Sequence, residues 1–211
     1  MGWCVTLLLL GVVHTRQARL ERRPNQTQSE AGPSDAALVV AARAGEKWAQ
    51  EALFRRHARM VNGLAYRLMG RDEDIDDLVQ DSFLSALRGL DRLANPQAFA
   101  SWLGSIVVRT AHKLLRRRRL MTRVGLRRST PLDVEQLIAP GVTGGAAAEL
   151  KQVYGCLDAL EPEARIALVL HRVDGLSIPD VAEQMALSVS TVKRRLAVAQ
   201  QALDRMEGDP S

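Results

Sequence analysis

The chain has 211 residues, of which 46% are hydrophobic but only 4% aromatic, so a packed core must be built mainly from Leu, Val and Ala. Cys4 and Cys156 lie far apart, and His14, His57, His112 and His171 are scattered, which excludes the spacings of a metal site or a disulfide framework. A formal net charge of +5 admits a polyanion as partner without identifying one.

Trp3 to Val13 is apolar and is followed by Arg16, Arg19, Arg22 and Arg23. The run is shorter than the roughly 20 residues a bilayer-spanning helix needs. It resembles a signal-peptide core, but no charged segment precedes it and no A-x-A site follows, so a secretory signal is not expected. Residues 1–33 are expected to be a disordered or mis-started extension, and membrane contact by it is not expected. Pro24 to Pro33 reads as a linker. From Ser34 onward, helical patterning runs to about Arg119, broken near Gly70 and at Asn95-Pro96. Ser34 or Asp35 can cap the first helix. Period-two alternation is scarce, so the fold class is all-α. Two small helical domains are expected, at 34–120 and 148–206. A Pro- and Gly-bearing linker joins them over 121–147, and the C-terminal domain is a helix-turn-helix.

In the segment Asp74 to Leu90, Ile75, Leu78, Val79, Phe83, Ala86, Leu87 and Leu90 form one apolar stripe. Asp77, Asp81, Leu84 and Arg88 lie opposite, with Gln80 flanking. Leu84 is a large aliphatic on the face that should be polar. Ringed by Asp and Gln, it has the pattern of a docking knob with a polar rim. A lone surface leucine is the plainer reading, and pattern alone does not choose between them.

Phe99 to Leu132 contains no acidic residue. On the helix Phe99–Arg119, Phe99, Trp102, Leu103, Ile106, Val107, Thr110 and Leu114 share one face. Ser105, Val108, Arg109, His112, Arg116 and Arg119 share the other. Lys113 and the run Arg116 to Arg119 add further cations. Cations suit the last turn of a helix, but four successive arginines exceed what the macrodipole needs. Phosphate contact accounts for them better. Trp102 and Phe99 could stack on bases, though the apolar stripe favours a core position for Trp102.

Near the C-terminus, Ser177 can cap a helix with Pro179 and Asp180 in its first turn. Val181, Ala182 and Met185 face inward, and Ala182 is small enough for a close helix crossing. Leu187 and Ser188 make a turn, and Ser188 can cap the next helix. Val192, Leu196, Ala199 and Leu203 form that helix's buried stripe. Ser190, Thr191 and Arg194 then point outward, with Lys193 and Arg195 on the flanks. Short hydroxyls and Arg near a helix N-terminus suit base edges in a major groove, and flanking cations suit phosphates. A helical hairpin with a basic surface is the alternative.

The two modules together narrow the class. Asp77-LVQDSFLSAL, then Phe99-ASWLGSI and the arginine run, resemble region 2 of sigma factors. Ala159-LEPEARIALVLHRVDGLSIPDVAEQMALSVSTVKRRLAVAQQAL resembles region 4. No region 3 intervenes, so the chain resembles the compact extracytoplasmic-function (ECF) group over roughly Asp35 to Leu203. The resemblance implies that Asp77, Gln80, Asp81 and Leu84 dock on the clamp of the largest subunit of RNA polymerase core. It implies that Arg109, His112, Lys113, Arg116, Arg117 and Arg119, with the loop Leu90 to Gln97, engage the −10 element of promoter DNA. It implies that Ser190, Thr191, Lys193, Arg194 and Arg195 engage the −35 element. An anti-sigma factor is a further implied partner; the two distant cysteines, for their part, suit a protein of a reducing cytoplasm.

Two departures from the family pattern stand out. Arg109 and Lys113 fall where members often carry Asn and Asp, which puts the usual −10 preference in doubt. Ala186 occupies a turn position usually held by Gly. A DNA-binding regulator that never engages polymerase and a sigma mimic are the rival readings. No Gly-rich phosphate loop, metal spacing or nucleophile arrangement supports an enzyme, and no cofactor is expected.

Overall fold

The computed structural model describes residues 32–70, 74–125 and 155–207. Most of the N-terminal extension and most of the expected linker lie outside them. Among the described residues every regular element is helical. They fall into two compact units, and each is treated by itself.

The first unit holds four helices: α1 (Asp35–Arg43), α2 (Lys47–Met69), α3 (Ile75–Arg88) and α4 (Phe99–Arg123). Of the two candidate caps for α1, Ser34 takes the role, its Oγ accepting from the Ala37 amide at 3.3 Å. Asp35 is thereby left for tertiary contacts. Its carboxylate accepts from Arg56 Nη1 at 2.7 Å and meets His57 Nε2 at 2.9 Å. The buried His57 ring lies 5.1 Å from that of Phe99. The start of α1 is thus tied to the middle of α2 and, through the rings, to the start of α4. Gly70 ends α2 at φ 72° and ψ −150°, a backbone region essentially closed to residues with a Cβ.

Packing defines what each helix can show to solvent. Helix α4 lies against α2 and α3, and α1 lies against α2. Leu78, Leu103 and Val107 are fully buried among these contacts. Truncating such a leucine to alanine costs about 2–5 kcal/mol, so these positions hold the unit together. The stripe expected on α3 is observed at Ile75, Leu78, Val79, Phe83 and Ala86, while Leu87 is half-buried. Ser82, absent from that stripe, is fully buried. Val108, placed by the helical wheel on the outer side of α4, is also buried. A helix packed by several neighbours buries more than a single stripe. Trp102 is half-buried against Phe99, with ring centroids 6.1 Å apart, and Phe99 is buried.

The second unit starts with helical residues 155–159 and α5 (Pro162–Leu168), continues through a π-helical turn at Val169–Val173, and ends with α6 (Ile178–Met185) and α7 (Val189–Glu207). Leu157, Leu160 and Leu168 pack on Ala199 and Leu203 of α7. Arg165 is only 2% exposed and is neutralised by Asp158, as a buried cation must be. The π-turn has no signature in the sequence reading. It is closed by the Asp174 amide on the Val169 carbonyl at 3.1 Å, and the Leu176 amide reaches the Leu170 carbonyl. His171 Nδ1 meets the Leu176 carbonyl at 2.8 Å, and Gly175 at φ 71° turns the chain into α6.

The helix-turn-helix is capped at both of its starts. Ser177 Oγ accepts from the Asp180 amide at 3.3 Å, and Ser188 Oγ from the Thr191 amide at 3.2 Å. Between them Ala186 sits at φ 54°, the one non-glycine residue with positive φ among the described residues. The left-handed region costs an L-residue roughly 1–2 kcal/mol. Ala186→Gly should remove that cost while adding some freedom to the unfolded chain. The expected net gain is about 0.5–1 kcal/mol, read as a raised midpoint of thermal unfolding. Cys156 is free and buried. Burial pushes its thiol pKa up, and the Arg205 guanidinium only partly opposes this. In a Cys4→Ser background, Cys156 should therefore react slowly with a thiol reagent at neutral pH and rapidly once the chain is unfolded in urea.

Candidate protein- and DNA-contact faces

Helix α3 divides its circumference sharply. With Leu78, Val79 and Phe83 turned to the core, Asp77, Gln80, Asp81 and Leu84 are all exposed, so the structure brings these four predicted residues onto one solvent face. Leu84 keeps 39% of its surface in water despite being aliphatic. Burying that surface against a partner is favourable, and the flanking carboxylates give such a partner a reason to be cationic. A further apolar group lies next to α3. The half-exposed Phe54 of α2 packs at a tilt against Phe83, with centroids 4.6 Å apart. Sequence reading missed Phe54 because a helical wheel treats each helix alone.

On α4, Arg109, Lys113, Arg116 and Arg117 are exposed and recur at helical spacing, which makes a continuous cationic stripe. His112, Arg118 and Arg119 are half-buried, so they sit at the margin of that stripe. No carboxylate occurs on α4 itself to neutralise it. The loop before α4 is made of two 3-10 turns, Leu90–Arg92 and Pro96–Ala98. Leu90 and Leu93 point into the core, while Asp91, Arg92, Asn95 and Gln97 are exposed. Asn95 caps the second turn, its Oδ1 accepting from the Gln97 amide at 3.0 Å.

In the second unit, Ser190, Lys193 and Arg194 are exposed on the first turns of α7, and Thr191 is half-buried. The hydroxyls of Ser190 and Thr191 lie 3.0 and 2.8 Å from Ser188 Oγ. Ser188 therefore holds the hydroxyl cluster as well as the helix start. Arg195 differs from its neighbours. Its Nε and Nη2 both lie 2.7 Å from Oε2 of Glu163, which fastens α7 to α5. Sequence spacing placed Arg195 on a flank but gave no sign of Glu163, which is 32 residues away. Among the described residues no group of His, Cys, Asp and Glu could hold a metal ion. No helix among them is long and apolar enough to cross a membrane.

These faces can be set beside known proteins. The family model for sigma-70 region 2 matches residues 53–120, and that for sigma-70 region 4 matches residues 150–203. The ECF RNA polymerase sigma factor SigM of Mycobacterium tuberculosis H37Rv is 36% identical over 180 residues, covering 83% of this chain and 85% of SigM. The ECF RNA polymerase sigma-E factor of Escherichia coli K12 is 31% identical over 185 residues, covering 81% and 93%. CnrH, solved in complex with the cytosolic domain of CnrY, superposes with a TM-score of 0.56 at 27% identity, over 85% of this chain and all of CnrH. The sigma factor RpoE of Bartonella quintana, solved with the anti-sigma factor NepR, shares the fold at a TM-score of 0.55 and 19% identity, over 76% of this chain and 98% of RpoE. Two matched regions that together span more than half of the chain, and relatives aligned over more than four-fifths of it, place this protein in the family of ECF RNA polymerase sigma factors.

Proposed function

We propose that this sigma factor docks on the clamp of the largest subunit of RNA polymerase core through Asp77, Gln80, Asp81 and Leu84. In the same reading it engages promoter DNA through α4 and α7. The observation that carries it is the separation of charge: an acidic, leucine-centred face on α3 and a carboxylate-free cationic stripe on α4, within one helical unit. One surface cannot serve a protein clamp and a phosphate backbone equally well. Two faces of opposite sign can serve both at once.

On α4, Arg109, Lys113, Arg116 and Arg117 take the phosphates of the −10 element, with His112 and Arg119 at the edge. The exposed polar side chains of the loop 91–97 offer hydrogen bonds to bases. Holding a base out of the stack costs a few kcal/mol, which the phosphate contacts offset. On α7, Ser190, Thr191, Lys193 and Arg194 take the −35 element. Arg195 serves that interface by orienting α7 through Glu163. An anti-sigma factor is a further partner, a reading supported by the complex of Bartonella quintana RpoE with the anti-sigma factor NepR. The chain acts in the cytoplasm, without catalysis of its own.

Run-off transcription with polymerase core and pooled promoter fragments tests this. Promoter-specific transcripts should appear only with the protein and be lost with Leu84→Ala or Arg194→Ala. Leu84→Ala should cost about 1 kcal/mol of stability, well below the roughly 2–5 kcal/mol of a core leucine, because 39% of its surface is in water. A DNA-binding chain that neither binds core nor stimulates it would sink the reading. The cations at Arg109 and Lys113 lead to a second expectation. Arg109→Asn with Lys113→Asp should weaken binding of single-stranded −10 DNA and lower its salt slope by about 1–2.

A further inference from the structure

The loop between α3 and α4 is held by a residue from outside it. Arg43, the last residue of α1, donates from Nε and Nη2 to the Leu90 carbonyl at 3.1 and 2.8 Å, and from Nη2 to the Leu93 carbonyl. The Leu90 carbonyl also accepts from the Leu93 amide at 3.1 Å, so one oxygen closes the 3-10 turn and receives the fork. Beneath these bonds the side chains of Leu90 and Leu93 are buried. The loop is thus fixed twice, by apolar anchors below and by a guanidinium at its backbone. Asp91, Arg92, Asn95 and Gln97 are what remains exposed. Helix α1 precedes the segment matched by the region 2 model, which begins at residue 53.

We propose that Arg43 is a positioning residue for −10 recognition, setting the backbone of the loop 90–97 so that its exposed polar side chains meet a base in one fixed geometry. This rests on the reading of that loop as a −10 contact. The chemistry fits the task. Arg presents several donors in a rigid planar fork and reaches two carbonyls at once, whereas the Lys ammonium is a point charge on a flexible stem. A preorganised loop selects between bases because a mismatched base leaves its polar groups unpaired. A loop free to rearrange satisfies several bases and selects less. Helix α1 contacts both 3-10 turns, so Arg43 sits where one helix governs the whole loop.

The test uses the full chain with polymerase core and a promoter chosen by the wild type in the pooled run-off assay, with its −10 element then randomised. Each template carries a transcribed barcode that identifies its −10 sequence; barcodes are sequenced from the transcripts made with wild type, Arg43→Lys and Arg43→Gln, and core affinity is measured alongside. The expected result is that both variants bind core as the wild type does, while discrimination between the best and worst −10 base falls by about tenfold, Lys less affected than Gln. A merely structural role would lower the active fraction and reduce all transcripts alike, leaving the base preferences unchanged. Unchanged preferences with an active wild type overturn the role of Arg43 and leave the sigma reading intact. Arg43→Lys keeps the charge and the aliphatic stem, so it supplies this result even if Arg43→Gln folds poorly. A wild type inactive on every promoter overturns the −10 reading itself.

Discussion

A helix can hide only part of its circumference, and in the first unit that limit governs everything the protein shows to a partner. Helices α2, α3 and α4 pack on one another, and Leu78, Leu103 and Val107 are wholly consumed by that contact. Each buried leucine fixes the rotation of its helix, because turning it would cost several kcal/mol of lost burial. The rotation in turn decides which residues remain outside. On α3 these are two carboxylates, an amide and Leu84. On α4 they are Arg109, Lys113, Arg116 and Arg117. The core thus acts as the jig that separates the acidic face from the basic one.

The second unit obeys the same limit with less material. Its core is made largely of leucine and alanine, and Ala199 lets α7 come close to α5. The tie between Arg195 and Glu163 adds orientation that so small an apolar contact cannot supply alone. The capping serines do comparable work at the other end of the helix. Ser188 receives the Thr191 amide and touches both neighbouring hydroxyls, so the start of α7 is ordered before any nucleic acid arrives.

Much of this was legible in the sequence, and the reasons are local. The all-helical class, the caps at Ser34, Ser177 and Ser188, and the outward placement of Asp77, Gln80, Asp81 and Leu84 follow from periodicity and capping chemistry, which act over a few residues. The places where the reading fell short depend on distant partners. Val108 looked exposed because a wheel does not know how many neighbours α4 has. Ser82 was not part of the stripe read on α3, yet it is fully buried. The Arg43 fork spans 47 and 50 residues, and the Arg195 pair 32, so neither leaves a trace in spacing. The π-turn at Val169–Val173 has no composition that sets it apart from an ordinary helix.

The engagement of Arg195 by Glu163 also changes how the recognition helix meets salt water. Free cations on a DNA-binding face exchange small anions for phosphates when the duplex arrives, and each exchange makes affinity fall with ionic strength. Arg195 already has its counter-charge, at 31% exposure and fixed in the fold, so it has no mobile ion to surrender. In the proposed −35 contact, Lys193 and Arg194 alone would do so on that stretch of α7. The ion stoichiometry of the helix is therefore smaller than its run of three basic residues suggests, and its orientation, held by an internal pair, does not depend on the DNA being present.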